Sequence, residues 1–214
     1  DGQIYAKDAD IALIAGDFDY NPHTRDYTKV GVSNNELLIS SSAFGSIYGN
    51  QIKIVGVNGN IGVAGDVISE RVLKINADGT IVTNKTQAKE AMEVKAKEFT
   101  QNTSTYTEGN LTIDADKVTL KGNGTQAGNI LITGDLENEV NIYSGNDINI
   151  GKGLVNKSGQ IVTERNISIN GKTDNKDLLY AKNNITIGKE LNNTGNIQSN
   201  GSIKTGGNTT NTGK

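Results

Sequence analysis

The 214-residue chain has no cysteine and no tryptophan, and it carries one proline, one histidine and one methionine. Without cysteine there is no disulfide, no thiolate nucleophile and none of the usual zinc sites. The single histidine, His23 in the polar stretch "YNPHTRDY", cannot assemble an ordinary transition-metal site by itself. Three Phe and an apolar fraction of 34% are thin material for a globular core of this size. The longest apolar run, "IALIAG" at 11–16, is far shorter than the roughly 20 residues of a membrane-spanning helix, so no membrane insertion is expected. An excess of one charge is also lacking. Twenty-one basic and 24 acidic residues give a net charge of −3, well mixed along the chain, which excludes strong attraction to nucleic acid or an anionic bilayer. No nucleophile elbow and no phosphate-binding glycine loop occurs. The chain begins with Asp1, with neither an initiator Met nor a signal peptide, as expected of a mature or excised segment.

What is present is abundant Gly (26 residues), Asn and Thr, set between short runs of Ile, Val and Leu. These runs repeat. Alternating apolar pairs occur at Leu73/Ile75, Met92/Val94, Leu111/Ile113, Ile130/Ile132, Ile148/Ile150, Ile167/Ile169 and Ile185/Ile187, with Ile203/Thr205 as an eighth, always 18 or 19 residues apart. The i, i+2 spacing within each pair belongs to a strand, because alternate side chains of an extended segment point to one side. A small residue follows each pair (Ala77, Ala96, Ala115, Gly134, Gly151, Gly171, Gly188, Gly206), marking a turn that needs little side-chain volume or a positive φ.

A unit this short, with at least two strands and tight turns, cannot bury its own apolar face, so the copies must stack. The expected fold is all-β: a parallel β-helix with 18–19-residue coils, right-handed by the crossover rule. At about 4.8 Å per coil, eight coils make a rod on the order of 40 Å long. Ile rows are expected inside, and Asn residues such as those of "NISING" and "NNITIG" are expected to hydrogen-bond their neighbours in the next coil. The stretch "KTQAKEAMEVKAKEF" (85–99) has helix-forming composition, but Met92 and Val94 fall on the rungs of the ladder and predict a strand. Residues between rungs, such as 171–177, read as loops.

Candidate chemistry is sparse. β-Helices can host polysaccharide-cleaving enzymes, which need converging carboxylates. The repeat register places Asp116 over Asp135, but the next coil supplies Gly153 or Leu154, and Asp114 and Asp116 flank a turn. No catalytic, cofactor-binding or metal-ligating residue is assigned. The loop at 17–35 interrupts the ladder and carries Phe18, Tyr20 and Tyr27, which serve either as a recognition surface or as a cap on the side of the rod. Sequons at Asn110, Asn166 and Asn184 are what an Asn- and Thr-rich composition generates, and they also offer glycosylation acceptors.

The stretch "AFGSIYGNQIKIVGVNGNIGVAGDV" (43–67) resembles a motif of filamentous-haemagglutinin-type exoproteins of Gram-negative bacteria, in which Gly-x-Ile/Met-Tyr-Ala-Asn leads into an apolar strand and a Gly-x-Gly-Val turn. "IYAKDADIALIAGDFDY" (4–20) resembles the strand pair upstream of it, and "LKINADGTI" (73–81) and "LNNTGNI" (191–197) resemble the repeats that follow. The resemblance implies a secreted or cell-surface β-helix exported by an outer-membrane two-partner transporter and presenting binding regions to a host or bacterial surface receptor or glycan. Residues 1–70 then correspond to the distal part of the secretion domain, 71–205 to continuing haemagglutinin-type repeats, and the apolar-free 206–214 to a tail expected to fray. Contact-dependent growth-inhibition exoproteins look alike in this region, so a toxin-delivery shaft is the alternative reading and a β-helical carbohydrate-active enzyme a third. The chain departs from the family pattern at Gly49, where Ala is usual, and the asparagine-rich export motif is not found in it.

Overall fold

The computed structural model describes residues 2–24, 26–43 and 45–214, which form thirty strands and no helix. The apolar doublets lie where their spacing put them. Leu73, Met92, Leu111, Ile130, Ile148, Ile167, Ile185 and Ile203 pair in unbroken parallel register, one per coil. The same ladder continues upstream through Ile52–Val57 to Ile11–Gly16, giving a ten-stranded parallel sheet. Within Asn110–Asp114 burial alternates, so that Leu111 and Ile113 face the interior and Thr112 faces out. The chain is a parallel β-solenoid.

The helix-forming stretch is extended, as the register required. Most of its residues belong to Thr80–Ala88, Ala91–Lys95 and the start of Glu98–Thr107, with Met92 and Val94 buried and the corners at 89–90 and 96–97 between them. Its charged side chains lie outside, where Lys74 reaches Glu93 of the next coil at 2.9 Å. Burying the apolar members of each strand in a continuous row outweighs a helix preference of a few tenths of a kcal/mol per residue.

Each full coil contains three strands, one on each of three faces. The second and third faces merge into an 18-stranded sheet because Thr80–Ala88 and Glu98–Thr107 bend around the corner between them, with a register shift between Thr83 and Lys85. Residues 171–177 correct the loop reading. They contain the strand Thr173–Asn175, paired with Leu154–Asn156 before it and Leu191–Asn193 after it, with Thr173 and Asn175 buried. The last two strands, Ile203–Thr205 and Thr209–Asn211, pair with the coil before them and are exposed throughout.

The second face holds a polar interior row. Asn138, Asn156, Asn175, Asn193 and Asn211 stack on successive coils, and each of the first four amides donates to the next side-chain carbonyl at 2.9, 2.8, 2.7 and 2.8 Å. The first four residues are fully buried. Their amides also reach into the adjoining turns: Asn138 Nδ2 donates to Val140 O and Asn175 Nδ2 to Asp177 O. A buried amide left unpaired would cost about 1–3 kcal/mol, so the row both satisfies itself and pins the turn that follows it.

The small residues at the corners have a packing reason. A Cβ on Gly134 would stand 1.9 Å from Ala115 O of the preceding coil, and one on Gly206 would stand 2.2 Å from Gly188 O. Neither glycine has a positive φ, so close approach of successive backbones, not unusual torsion, excludes a side chain there.

Candidate functional site

The loop at 17–35 contains a hairpin. Phe18–Asn21 and Asp26–Lys29 pair antiparallel, with Tyr20 opposite Tyr27. Phe18 and Tyr27 meet edge to face with ring centroids 6.0 Å apart, and Lys53 Nζ from the rod lies 5.7 Å from the centre of the Tyr27 ring. Lys29 adds an ion pair to Asp78 at 3.1 Å. Asp78 is held below the ordinary carboxylate range: burial opposes this, and the Asn58 backbone N–H and Lys29 outweigh it. Tyr27, through Lys53, and Lys29, through Asp78, tie the hairpin to the rod, while Tyr20, the cross-strand partner of Tyr27, is half exposed. His23 sits at the exposed tip, where its backbone N–H donates to Asn21 Oδ1 at 3.0 Å. No cluster of three metal-ligating side chains occurs among the described residues.

Asp116 and Asp135 are not register partners. Asp135 pairs with Lys117 and not with Asp116, because the change from a 19- to an 18-residue coil falls between Ile113/Ile132 and Lys117/Asp135. Asp135 accepts the Gly153 backbone N–H at 2.7 Å, and Asp116 points to Lys152 at 3.3 Å. Asp114 accepts a hydrogen bond from the Thr133 hydroxyl at 2.9 Å. Each of the three is engaged in joining one coil to another. The sequon asparagines are similarly occupied: Asn129 Nδ2 donates to Asn110 Oδ1 at 2.9 Å, and Asn184 Nδ2 to Asn166 Oδ1 at 3.3 Å, as expected of stacked Asn.

The outer surface of the third face carries an arrangement that sequence reasoning missed. Its central outward positions form one row in register: Tyr5, Tyr48, Ile68, Gln87, Tyr106, Gln126, Tyr143, Val162, Tyr180 and Gln198. None is charged. At the upper end Tyr5 and Tyr48 stack with centroids 5.0 Å apart and ring planes 10° from parallel. The Tyr48 hydroxyl donates to Glu70 Oε1, and this hydrogen bond, followed by burial and the Glu70 charge, pushes its pKa up to about 12. Further down, Tyr106, Gln126 and Tyr143 border a hollow of about 300 Å3 that Gly124 leaves open. The signal was present in the sequence: Tyr106, Tyr143 and Tyr180 are 37 residues apart, which is two coils. The equivalent rows on the other two faces contain Lys74 and Glu93, and Glu137 and Asp174.

Compared with protein families, curated proteins and solved structures, the chain has no match in any of the three.

Proposed function

We propose that this chain is a section of the shaft of a secreted or cell-surface adhesin, exported by an outer-membrane two-partner transporter and presenting binding regions to host cells or other bacteria. The observation that carries the reading is the unbroken ten-stranded ladder, about nine turns long, which spends its interior on length. At about 4.8 Å per coil the described section extends roughly 45 Å, and each added coil lengthens the rod by the same step. Every coil closes on its predecessor, so folding can propagate in chain order as successive segments emerge from a transporter. The absence of cysteine makes that assembly independent of oxidation. The role is non-enzymatic, a reading supported by the engagement of Asp116 and Asp135 in separate coil-joining contacts.

Surface display is the test. Antibody labelling of intact cells of the native host should detect the parent protein, and deletion of the partner transporter should abolish the labelling and reduce adhesion. Retention of the protein inside cells that carry a working transporter would overturn the proposal.

A further inference from the structure

The shaft reading leaves the row from Tyr106 to Gln198 without a role. We propose that this row binds a linear, uncharged glycan lying along the rod axis. The inference deepens the adhesin reading and rests on it for its biological setting.

Tyr106, Tyr143 and Tyr180 recur at every second coil, a step of about 10 Å that is on the scale of a disaccharide unit. Gln126 stands between the first two rings, and Gln198 follows the third. A tyrosine ring offers an apolar face to the C–H side of a pyranose, and amides both donate to and accept from sugar hydroxyls. The hollow of about 300 Å3 beside Tyr106 and Tyr143 is open and mostly apolar, with Ser104, Asn123 and Asn141 among the residues that border it, a surface suited to the C–H face of a sugar with a few polar groups at hand.

Charge selects among occupants. Nothing in the row from Tyr106 to Gln198 is ionised, and the Lys182 and Glu164 beside it neutralise each other at 3.0 Å. A polyanionic glycan or a nucleic acid therefore finds no array of cations. A peptide cannot add as a strand here, because each strand from Gly124–Ala127 to Leu178–Ala181 is already paired on both sides. A second copy of the chain is disfavoured because the row offers three tyrosine rings, of which Tyr143 is the most exposed at 39%, and a stable protein interface needs about 1,000 Å2. Weak contacts repeated along a strand of sugars suit the geometry.

The soluble chain is titrated with cellohexaose and chitohexaose, with heparin and polygalacturonate as anionic probes, by calorimetry and by pull-down on the insoluble polymers. Expected is binding of at least one neutral probe with an affinity unmoved by added salt. Tyr143→Ala should weaken it at least about tenfold while leaving the melting curve in place. Tyr143→Phe, which keeps the ring, should retain most of it, and Tyr20→Ala on the hairpin should leave it unchanged. Four results would each overturn the proposal: no binding of either neutral probe, salt-sensitive binding of polyanions alone, full binding by Tyr143→Ala, or a concentration-dependent dimer that Tyr143→Ala abolishes. Failure here with the protein displayed on cells removes only the glycan inference. Glycan binding by a protein that stays inside the cell removes only the shaft reading.

Discussion

Replacing Asn156 by Ala tests the claim that the buried amide row is a structural element with a position-dependent value. Asn156 is fully buried, accepts from Asn138 Nδ2 at 2.9 Å and donates to Asn175 Oδ1 at 2.8 Å. Its loss leaves Asn175 Oδ1 buried without its donor, at about 1–3 kcal/mol, and removes one further net hydrogen bond at ~0.5–1.5 kcal/mol. Asn138 is less affected because its amide still reaches Val140 O and Ser158 O. The total is about 2–4 kcal/mol, or roughly 4–16 °C in melting midpoint for a chain of this size. The matching change at the exposed last rung, Asn211→Ala, leaves Asn193 Nδ2 bonded to Gly195 O and Lys214 O and should cost less than about 1 kcal/mol. Thermal melts followed by far-ultraviolet circular dichroism compare the two. A companion variant, Asn156→Asp, keeps the acceptor but turns an oxygen toward Asn175 Oδ1. Burial raises the folded-state pKa of the new carboxyl above its unfolded value, so its contribution is fully present below the unfolded pKa and lost as pH rises through the raised one. Equal costs at positions 156 and 211, or an Asn156→Asp melt that acid does not improve, would refute the reasoning.

Leu111→Ala, at a fully buried rung, should cost about 2–5 kcal/mol in denaturant titration, whereas Leu131→Ala, 42% exposed on the adjacent outward position, should stay within about 0.5 kcal/mol. Gly49→Ala would bring its Cβ to 2.8 Å from Ile11 Cδ1, so it should lower the melting point, and Ile11→Val in the same chain should restore part of the loss; a strictly additive double-mutant cycle would contradict that contact. Ultraviolet titration should find one tyrosine ionising near pH 12, brought down by Glu70→Gln. Because the folded-state pKa of Tyr48 is raised, its contribution to stability is complete below the unfolded value and is lost as pH rises through about 12. Lys157→Ala removes ion pairs to Glu137 and Glu139 that are open to solvent, and its melt should match the parent chain.

The fold was legible in the sequence through one face of three. The doublets on that face are Ile, Leu, Met and Val at strand spacing, and this signal outweighed the helix-forming composition of 85–99. The other two faces put Thr86, Thr105, Thr125, Ser144 and Thr163, or Asn138 to Asn211, in positions where a hydropathy pattern expects apolar groups. The stacked Asn side chains satisfy one another across coils, and Ser144 and Thr163 donate to backbone carbonyls of the turns, so such rows read locally as turn composition, and for this reason 171–177 looked like a loop. The repeating Leu-x-Asn of 136–138, 154–156 and 191–193 was the available clue. The juxtaposition of Asp116 with Asp135 failed for a narrower reason: a coil shortened by one residue shifts every pairing beyond the corner. Of the hairpin aromatics, Phe18 meets Tyr27 and Tyr27 meets Lys53 of the rod, and the tyrosine row was hidden because outward residues of one face are scattered two coils apart in the sequence.

The register of the ladder carries the whole account, and a chain without cysteine allows it to be read chemically. Leu131 and Asn149 are outward partners on adjacent coils, about 4.8 Å apart, within the span a disulfide bridges, whereas Leu131 and Ser168 are two coils apart at about 10 Å. Mild oxidation of the paired variant Leu131→Cys/Asn149→Cys should give a quantitative intramolecular disulfide, and Leu131→Cys/Ser168→Cys should give none. Equal bridging in the two variants, or none in the first, would show that the coils are not stacked in this register.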